Sequence, residues 1–110
     1  MISTHVLDVA LGRPAAGIAI RLDVLEMDGT WKMLTRAVTN EDGRAGALAQ
    51  AGELAGRTCR LGFDTRTYFE SGARPVSFPS VEIVFVIDGA ERYHVPLLLS
   101  PFGYSTYRGS

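Results

Sequence analysis

The chain has 110 residues and a formal net charge of −1, with 46% hydrophobic and 21% charged residues. This length fits a single domain over residues 1–110, because domains commonly run to about 100–150 residues. The near-neutral charge argues against a nucleic-acid partner. The lack of an apolar run of about 18 residues argues against a membrane span. The single cysteine excludes an internal disulfide and a cysteine-based zinc site.

The first five residues carry neither the basic segment nor the apolar stretch that opens a signal peptide. We therefore expect a cytoplasmic protein. A core of this size leaves little room for a deep enclosed pocket of about 300–1,000 Å³. A small-molecule site is therefore expected to be shallow or to be shared between subunits.

The first half of the chain predicts two strands and two turns. Apolar side chains alternate with Arg21 and Asp23 over residues 18–26, which is typical of a half-buried strand. Asp28-Gly29 is a turn signal, and residues 31–39 form the second predicted strand. Residues 40–44 are polar and contain a glycine, which predicts another turn.

The middle of the chain is less regular. Residues 47–56 are rich in alanine and glycine and have no clear period, whereas residues 59–63 fit a strand. Residues 65–71 are the best helix candidate, with Thr65 as the predicted cap at the start and Gly72 at the end. The predicted helix is short, so tertiary packing must stabilise it.

The last third contains the strongest strand pattern, at residues 81–87. Asp88-Gly89 and a further strand at residues 93–99 follow, which together predict a hairpin, with Pro96 at an edge or a bulge. The tail, residues 100–110, is aromatic and lacks a run of like charges, so we expect it to be ordered. Short strands with frequent turns and one short helix predict a mainly β fold, an antiparallel β-sandwich.

Two side chains titrate near neutral pH, His5 and His94. Each taken alone is typical of a surface histidine or a hydrogen-bonded core histidine. Two histidines cannot complete a three-ligand catalytic zinc site, and Asp8, three residues after His5, would face the opposite side of a strand.

Other candidate residues have ordinary explanations when taken singly. Cys59 lies in an apolar strand, where a structural thiol is expected. Arg44 follows a turn and fits a solvated surface residue, and Arg108 lies in a tail that could be frayed. The sequence contains no Gly-x-Ser-x-Gly motif for a serine nucleophile and no glycine-rich phosphate-binding motif.

Several separated motifs resemble one known family. They are Thr4-His5-Val6-Leu7-Asp8, Gly12-Arg13-Pro14-Ala15, the run at residues 94–101, and the tail at residues 104–110, which closes on Tyr-Arg-Gly-Ser. Together they are similar, in order and spacing, to the 5-hydroxyisourate hydrolases, also called transthyretin-related proteins. The closing Tyr-Arg-Gly-Ser distinguishes these hydrolases from transthyretin, a hormone carrier of the same fold.

The resemblance implies a fold, an assembly and a reaction. The fold is a transthyretin-like two-sheet antiparallel β-sandwich with one short α-helix, assembled as a homotetramer that is a dimer of dimers, with active sites in the channel between dimers. The substrate is 5-hydroxyisourate, the product of urate oxidation, and the enzyme opens its six-membered ring by hydrolysis. Neither a metal nor an organic cofactor is implied.

The resemblance also implies the site. The implied catalytic residues are His5, Arg44, His94, Tyr107 and Ser110, and the implied substrate-binding residues are His5, Arg44, Tyr107, Arg108 and Gly109. Hydrolysis of a ring amide needs an activated water, a stabilised oxyanion and a protonated leaving nitrogen. We expect the histidines to share the acid and base work, the Arg44 guanidinium to hold the oxyanion, and the tail to shape the pocket.

Two alternatives from other classes remain open at this point. The first is a non-catalytic small-ligand carrier, whose channel should be lined mainly by apolar groups. The second is a structural or adhesive sandwich domain, which would not need the closing Tyr-Arg-Gly-Ser.

Overall fold

A computed structural model describes residues 1–89 and 92–109. In it the protein forms two β-sheets that share one hydrophobic core. This architecture confirms the predicted two-sheet sandwich with one short α-helix. The strands are β1 (Ile2–Asp8), β2 (Arg13–Pro14), β3 (Ala19–Leu25), β4 (Trp31–Val38), β5 (Arg44–Ala49), β6 (Thr58–Phe63), β7 (Val81–Val86), β8 (Tyr93–His94), β9 (Leu97–Ser100) and β10 (Gly103–Thr106), and the helices are a 3-10 turn at Ala51–Leu54 and α1 (Thr65–Ser71).

The first sheet is built around β1, which pairs with β2, β5, β8 and β9, while β10 extends the sheet beyond β9. Alternate residues of β1 are buried, from Ile2 to Asp8, so the strand presents one face to the core and one face outward. The strands β8 and β9 run parallel to β1, whereas β2 and β5 run antiparallel to it. Within the sandwich, this first sheet is therefore mixed.

The second sheet has the order β4-β3-β6-β7, and all its pairs are antiparallel. The Asp28-Gly29 turn joins β3 to β4 as a hairpin, with Gly29 at φ 87°. The four predicted strands of this sheet, at residues 18–26, 31–39, 59–63 and 81–87, agree with the structure to within one residue at each end. Cys59 is buried in β6, as expected of a structural thiol.

The predicted hairpin over residues 81–99 is wrong. The strand β7 pairs with β6 in the second sheet, whereas β8 and β9 pair with β1 in the first. The Asp88-Gly89 turn therefore carries the chain from one sheet to the other instead of reversing it within one sheet. Pro96 lies between β8 and β9, where it interrupts the second predicted strand because it has no N–H to donate.

Two local predictions also need correction. The strand β5 begins at Arg44, a residue that the sequence predicts to be in a turn. The burial pattern of β5 has no period of two, because Ala47 has a φ of 54° and turns the backbone. The cap of α1 is Asp64, whose carboxylate accepts from the Thr67 N–H at 3.2 Å, rather than Thr65. Gly72 ends the helix as predicted.

A buried ion pair anchors the inner end of β1. The Asp8 side chain is fully buried and is bonded by the Arg74 guanidinium, by the Tyr68 Oη at 2.7 Å and by the Leu11 N–H at 3.0 Å. Burial raises the pKa of this carboxyl, but the hydrogen bonds from Arg74, Tyr68 and Leu11 together outweigh burial, so the pKa of Asp8 is lowered overall. The carboxylate therefore stays charged inside the fold. Within the described residues, no helix is long and apolar enough to cross a membrane.

Replacing Arg74 by methionine tests this anchor. The change leaves a buried carboxylate without its cation, so we expect the free energy of unfolding to fall by about 3 kcal/mol at pH 7, as measured by urea titration. Because the pKa of Asp8 is lower in the folded chain than in the unfolded chain, the wild-type advantage is present above about pH 4 and shrinks as the pH falls below that value.

The matched control for this experiment is Arg66→Met. Arg66 pairs with Glu70 at 3.8 Å on the exposed face of α1, so the control should cost less than about 0.5 kcal/mol. An Arg74→Met protein as stable as Arg66→Met at pH 7 would contradict the assignment.

Candidate active site

Strand pairing brings three of the predicted site residues to one face of the first sheet. His5 on β1 lies opposite Arg44 on β5, and Ser3, two residues earlier on the same face, lies opposite His94 on β8. Ser3, Arg44, His94 and the exposed Arg92 are among the residues that line an open groove of about 460 Å³ on this face. Residues separated by up to 91 positions in sequence therefore meet across three strands.

The ring of His94 is held at one nitrogen. Its Nδ1 lies 2.8 Å from the Ser3 Oγ, and its backbone oxygen accepts from the Gly109 N–H at 2.7 Å. Burial lowers the pKa of His94, and the nearby charges of Arg44 and His5 lower it further. The imidazole is therefore neutral at pH 7, with one nitrogen that can accept a proton.

His5 is fixed by the turn that precedes β5. Its Nε2 lies 2.8 Å from the backbone oxygen of Asp42, and because a carbonyl can only accept, Nε2 carries the proton. The side chain of Asn40 holds this turn through the N–H groups of Asp42 and Arg44. Gly43, at φ 74°, is required there, because a Cβ would lie 2.4 Å from the Val6 carbonyl oxygen.

Arg44 supplies positive charge to this face. Its side chain is exposed, and within residues 1–89 and 92–109 it forms no ion pair. A guanidinium in this state offers its N–H donors to an incoming oxyanion at little cost, since no protein carboxylate has to be displaced.

The tail reaches the same region through its backbone, whereas the Arg108 side chain is bonded to another residue. Gly109 forms a bridge with His94, whereas the Arg108 guanidinium bonds Asp88 at 2.6 Å and lies 4.4 Å from the centre of the Tyr93 ring. Tyr107 is 57% exposed. The last predicted site residue, Ser110, lies outside the described residues.

Sequence reasoning missed two residues of this face, Ser3 and Arg92. Ser3 could have been found, because a residue two positions before His5 on a strand must share its face. Arg92 comes directly before β8, and no motif or spacing in the sequence pointed to it. Among the described residues, no group of three or more histidine, cysteine or carboxylate side chains is arranged to hold a metal ion, and Asp8 is committed to Arg74 in the core.

The electrostatic effect of Arg44 on His94 can be measured. Arg44→Gln removes a neighbouring positive charge, so the pKa of His94 should rise toward its ordinary value while the part due to burial remains. An NMR titration of the His94 ring proton, assigned with a His5→Gln variant, checks this. Arg36→Gln, which removes an exposed arginine from β4 of the other sheet, is the control and should leave the titration unchanged, and an unchanged pKa in Arg44→Gln would contradict the geometry.

Comparison with known proteins agrees with this architecture. A family model described as HIUase/Transthyretin family matches residues 2–109. The 5-hydroxyisourate hydrolase of Mus musculus is 43% identical over 111 residues, which cover 99% of this chain and 94% of the relative. The 5-hydroxyisourate hydrolase 2 of Rhizobium meliloti is 45% identical over 116 residues, which cover 99% of this chain and 95% of the relative.

Solved structures lead to the same family. The structure of Klebsiella pneumoniae 5-hydroxyisourate hydrolase has a TM-score of 0.84 at 36% identity and covers 99% of this chain and 98% of its own. Sea bream transthyretin in complex with thyroxine has a TM-score of 0.91 at 28% identity and covers 98% of this chain and 93% of its own. The chain therefore belongs to the HIUase/Transthyretin family.

Proposed function

We propose that this protein is a hydrolase that opens the ring of 5-hydroxyisourate in the degradation of urate. The observation that carries the proposal is the meeting of His5, Arg44 and His94 on one face of the first sheet. Relatives named 5-hydroxyisourate hydrolase match along nearly the whole chain. This function accounts for the two guanidinium groups and the imidazole that line the groove.

The substrate dictates three chemical tasks. A water molecule must lose a proton to attack a ring carbonyl, the carbonyl oxygen must be stabilised as its negative charge develops, and the leaving ring nitrogen must gain a proton. A flat heterocycle with several carbonyl oxygens also needs donors that fix its orientation. Two imidazoles and a guanidinium on one face supply each of these functions without a covalent intermediate.

We assign the base work to His94 and the oxyanion to Arg44. The lowered pKa of His94 keeps its imidazole neutral at pH 7, so it can take a proton from water. Among the described residues, no carboxylate forms an ion pair with the Arg44 guanidinium, so its donors can turn to an oxyanion. The proton that His94 takes from water can be given to the leaving nitrogen, and His5, whose Nε2–H is bonded to Asp42, would relay it by accepting it at the lone pair of Nδ1.

The tail completes this proposal. Tyr107 and Ser110 are proposed catalytic residues that shape the pocket, and Gly109 is proposed to contact substrate through its backbone. Arg108 would have to exchange the Asp88 carboxylate for a substrate oxygen in order to bind directly, since its guanidinium is bonded there. Its proposed role is therefore in substrate binding rather than in proton transfer.

We further propose that the groove is closed by other copies of this chain in a homotetramer. The groove is open, and both sheets end in a strand with exposed large side chains, including Val84 and Val86 on β7 and Tyr104 on β10. A second copy would cover apolar surface and wall off the substrate from bulk water. The cytoplasm stays the predicted location.

A thyroxine-type carrier is the second candidate function, because the structure is similar to transthyretin in complex with thyroxine. A carrier groove for a hydrophobic hormone should present mainly apolar side chains. This groove instead carries two guanidinium groups and an imidazole, from Arg44, Arg92 and His94. We therefore favour the hydrolase.

His94→Ala tests the proposal directly. Because positioned acid–base catalysis contributes about 10²–10⁴-fold, kcat/KM for 5-hydroxyisourate should fall by about that factor. The decay of freshly generated substrate is followed by ultraviolet absorbance, and the uncatalysed rate is subtracted. The control is Arg36→Gln, which should keep wild-type activity, and a fully active His94→Ala protein with an unchanged oligomeric state would overturn the assignment.

Truncation after Thr106 tests the tail. The shortened chain loses the bridge between Gly109 and His94 and the proposed roles of Tyr107 and Ser110. We expect a folded protein with the circular dichroism and oligomeric state of the wild type but with hydrolysis reduced to near the uncatalysed rate. A truncated protein that turns over substrate at the wild-type rate would show that the tail is not part of the site.

A further inference from the structure

The partner of His94 at Nδ1 is set by backbone pairing. Ser3 and His94 are directly opposite each other on the parallel strands β1 and β8, and the Val95 N–H donates to the Ser3 carbonyl at 3.0 Å. This pairing brings the Ser3 Oγ to 2.8 Å from Nδ1. A hydroxyl on a regular strand is a rigid partner, because the strand fixes its Cβ and a single torsion sets its oxygen.

The other side of the same imidazole is occupied by Gly109. A Cβ built on this glycine would lie 2.9 Å from the His94 Cδ2 and 3.3 Å from the His94 backbone oxygen. The hydrogen bond from the Gly109 N–H to that oxygen, at 2.7 Å, prevents the tail from moving away. Glycine is therefore required here for space, since the ring fills the volume that any other side chain would need.

These contacts leave one nitrogen for chemistry. Nδ1 is committed to Ser3 and Cδ2 faces Gly109, so Nε2 is the nitrogen of His94 that remains to face the groove. In a neutral imidazole, the hydrogen bond at one nitrogen decides which nitrogen carries the proton. A hydroxyl can accept from Nδ1–H or donate to Nδ1, and the first arrangement is the one that leaves the lone pair on Nε2 for proton transfer.

We infer that Ser3 and Gly109 are positioning residues for His94: the Ser3 hydroxyl accepts from Nδ1–H and the bare backbone of Gly109 admits the ring, so that the lone pair of Nε2 points into the groove. The inference rests on the proposed function, because it concerns how the proposed base is held. Ser3 acts through His94 and is not required to touch substrate. Gly109 gains a role in addition to its proposed contact with substrate.

Ser3→Ala tests the tautomer. In the wild type, ring ¹⁵N chemical shifts of His94 should show a protonated Nδ1 and an unprotonated Nε2 in the neutral form. Ser3→Ala should move the proton toward Nε2 and lower kcat about tenfold with little change in KM, which is the size expected for one lost hydrogen bond. Ser3→Thr, which keeps the hydroxyl, should restore both, and Ser77→Ala in the exposed loop before β7 is the control that changes neither.

Gly109→Ala tests the space requirement. The added methyl group collides with the imidazole, so the ring must shift, and we expect kcat to fall by more than in Ser3→Ala together with a change in the ring ¹⁵N shifts. Gly103→Ala is the matched control, because a Cβ at Gly103 has no atom within 4 Å. It should keep the wild-type kcat and the wild-type spectrum.

The outcomes separate this inference from the proposed function. A wild type with the Nδ1–H tautomer that does not hydrolyse 5-hydroxyisourate overturns the proposed function, whereas the tautomer result needs no substrate. An active wild type whose His94 carries its proton on Nε2 overturns the role of Ser3. A Gly109→Ala protein with unchanged ring shifts and kcat overturns the role of Gly109.

Discussion

The register of β1 is the constraint on which the rest of the structure depends. This strand is hydrogen-bonded to four others, and its side chains alternate between the core and the outward face of the sheet. A shift by one residue would place His5 in the core and Val6 on the outward face, because the side-chain period of a strand is two. Two polar residues on the buried face make such a shift costly, since the Thr4 hydroxyl donates to the Val95 carbonyl at 2.6 Å and Asp8 is bonded to Arg74.

The partners that orient the two histidines are uncharged. His5 is bonded to a backbone carbonyl and His94 to a hydroxyl, whereas in a serine-type triad a carboxylate stabilises the charged imidazolium. Uncharged partners leave the pKa of His94 under the control of burial and of the charges of Arg44 and His5, all of which favour the neutral base. The same guanidinium that would hold the oxyanion therefore also keeps the base ready, and this arrangement suits a direct attack by water.

Local features of the sequence predicted the parts of the fold that depend on local physics. Alternation at residues 18–26 and the strong strand pattern at residues 81–87 marked two strands, and Gly72 marked the end of α1. The Asp88-Gly89 signal predicts a change of direction but not the partner of the next strand, so the expected hairpin is a crossover between sheets. Because Ala47 has a positive φ, buried and exposed residues do not alternate along β5, and no period of two predicted that strand.

The site was less accessible to residue-by-residue reasoning. His5 and His94 each resemble an ordinary histidine until strand pairing brings them to one face, and the contact between Ser3 and His94 joins residues 91 positions apart. No local pattern encodes such a contact. The resemblance to a family identified the site residues. The structure explains which residues surround them, including why the tail carries a glycine at position 109, next to the His94 ring.

Backbone similarity cannot separate a carrier from a hydrolase in this family. The solved structure in complex with thyroxine superposes more closely than the hydrolase structure does, although the hydrolase is more similar in sequence. The difference must lie in the side chains that a common backbone presents on the outward face of the first sheet. On that face this chain places a hydroxyl, two imidazoles and a guanidinium at Ser3, His5, His94 and Arg44. A hydrophobic hormone would leave the Arg44 donors and the free imidazole nitrogens without partners, whereas a heterocycle with carbonyl oxygens and ring N–H groups would supply acceptors to the guanidinium and donors to the imidazoles.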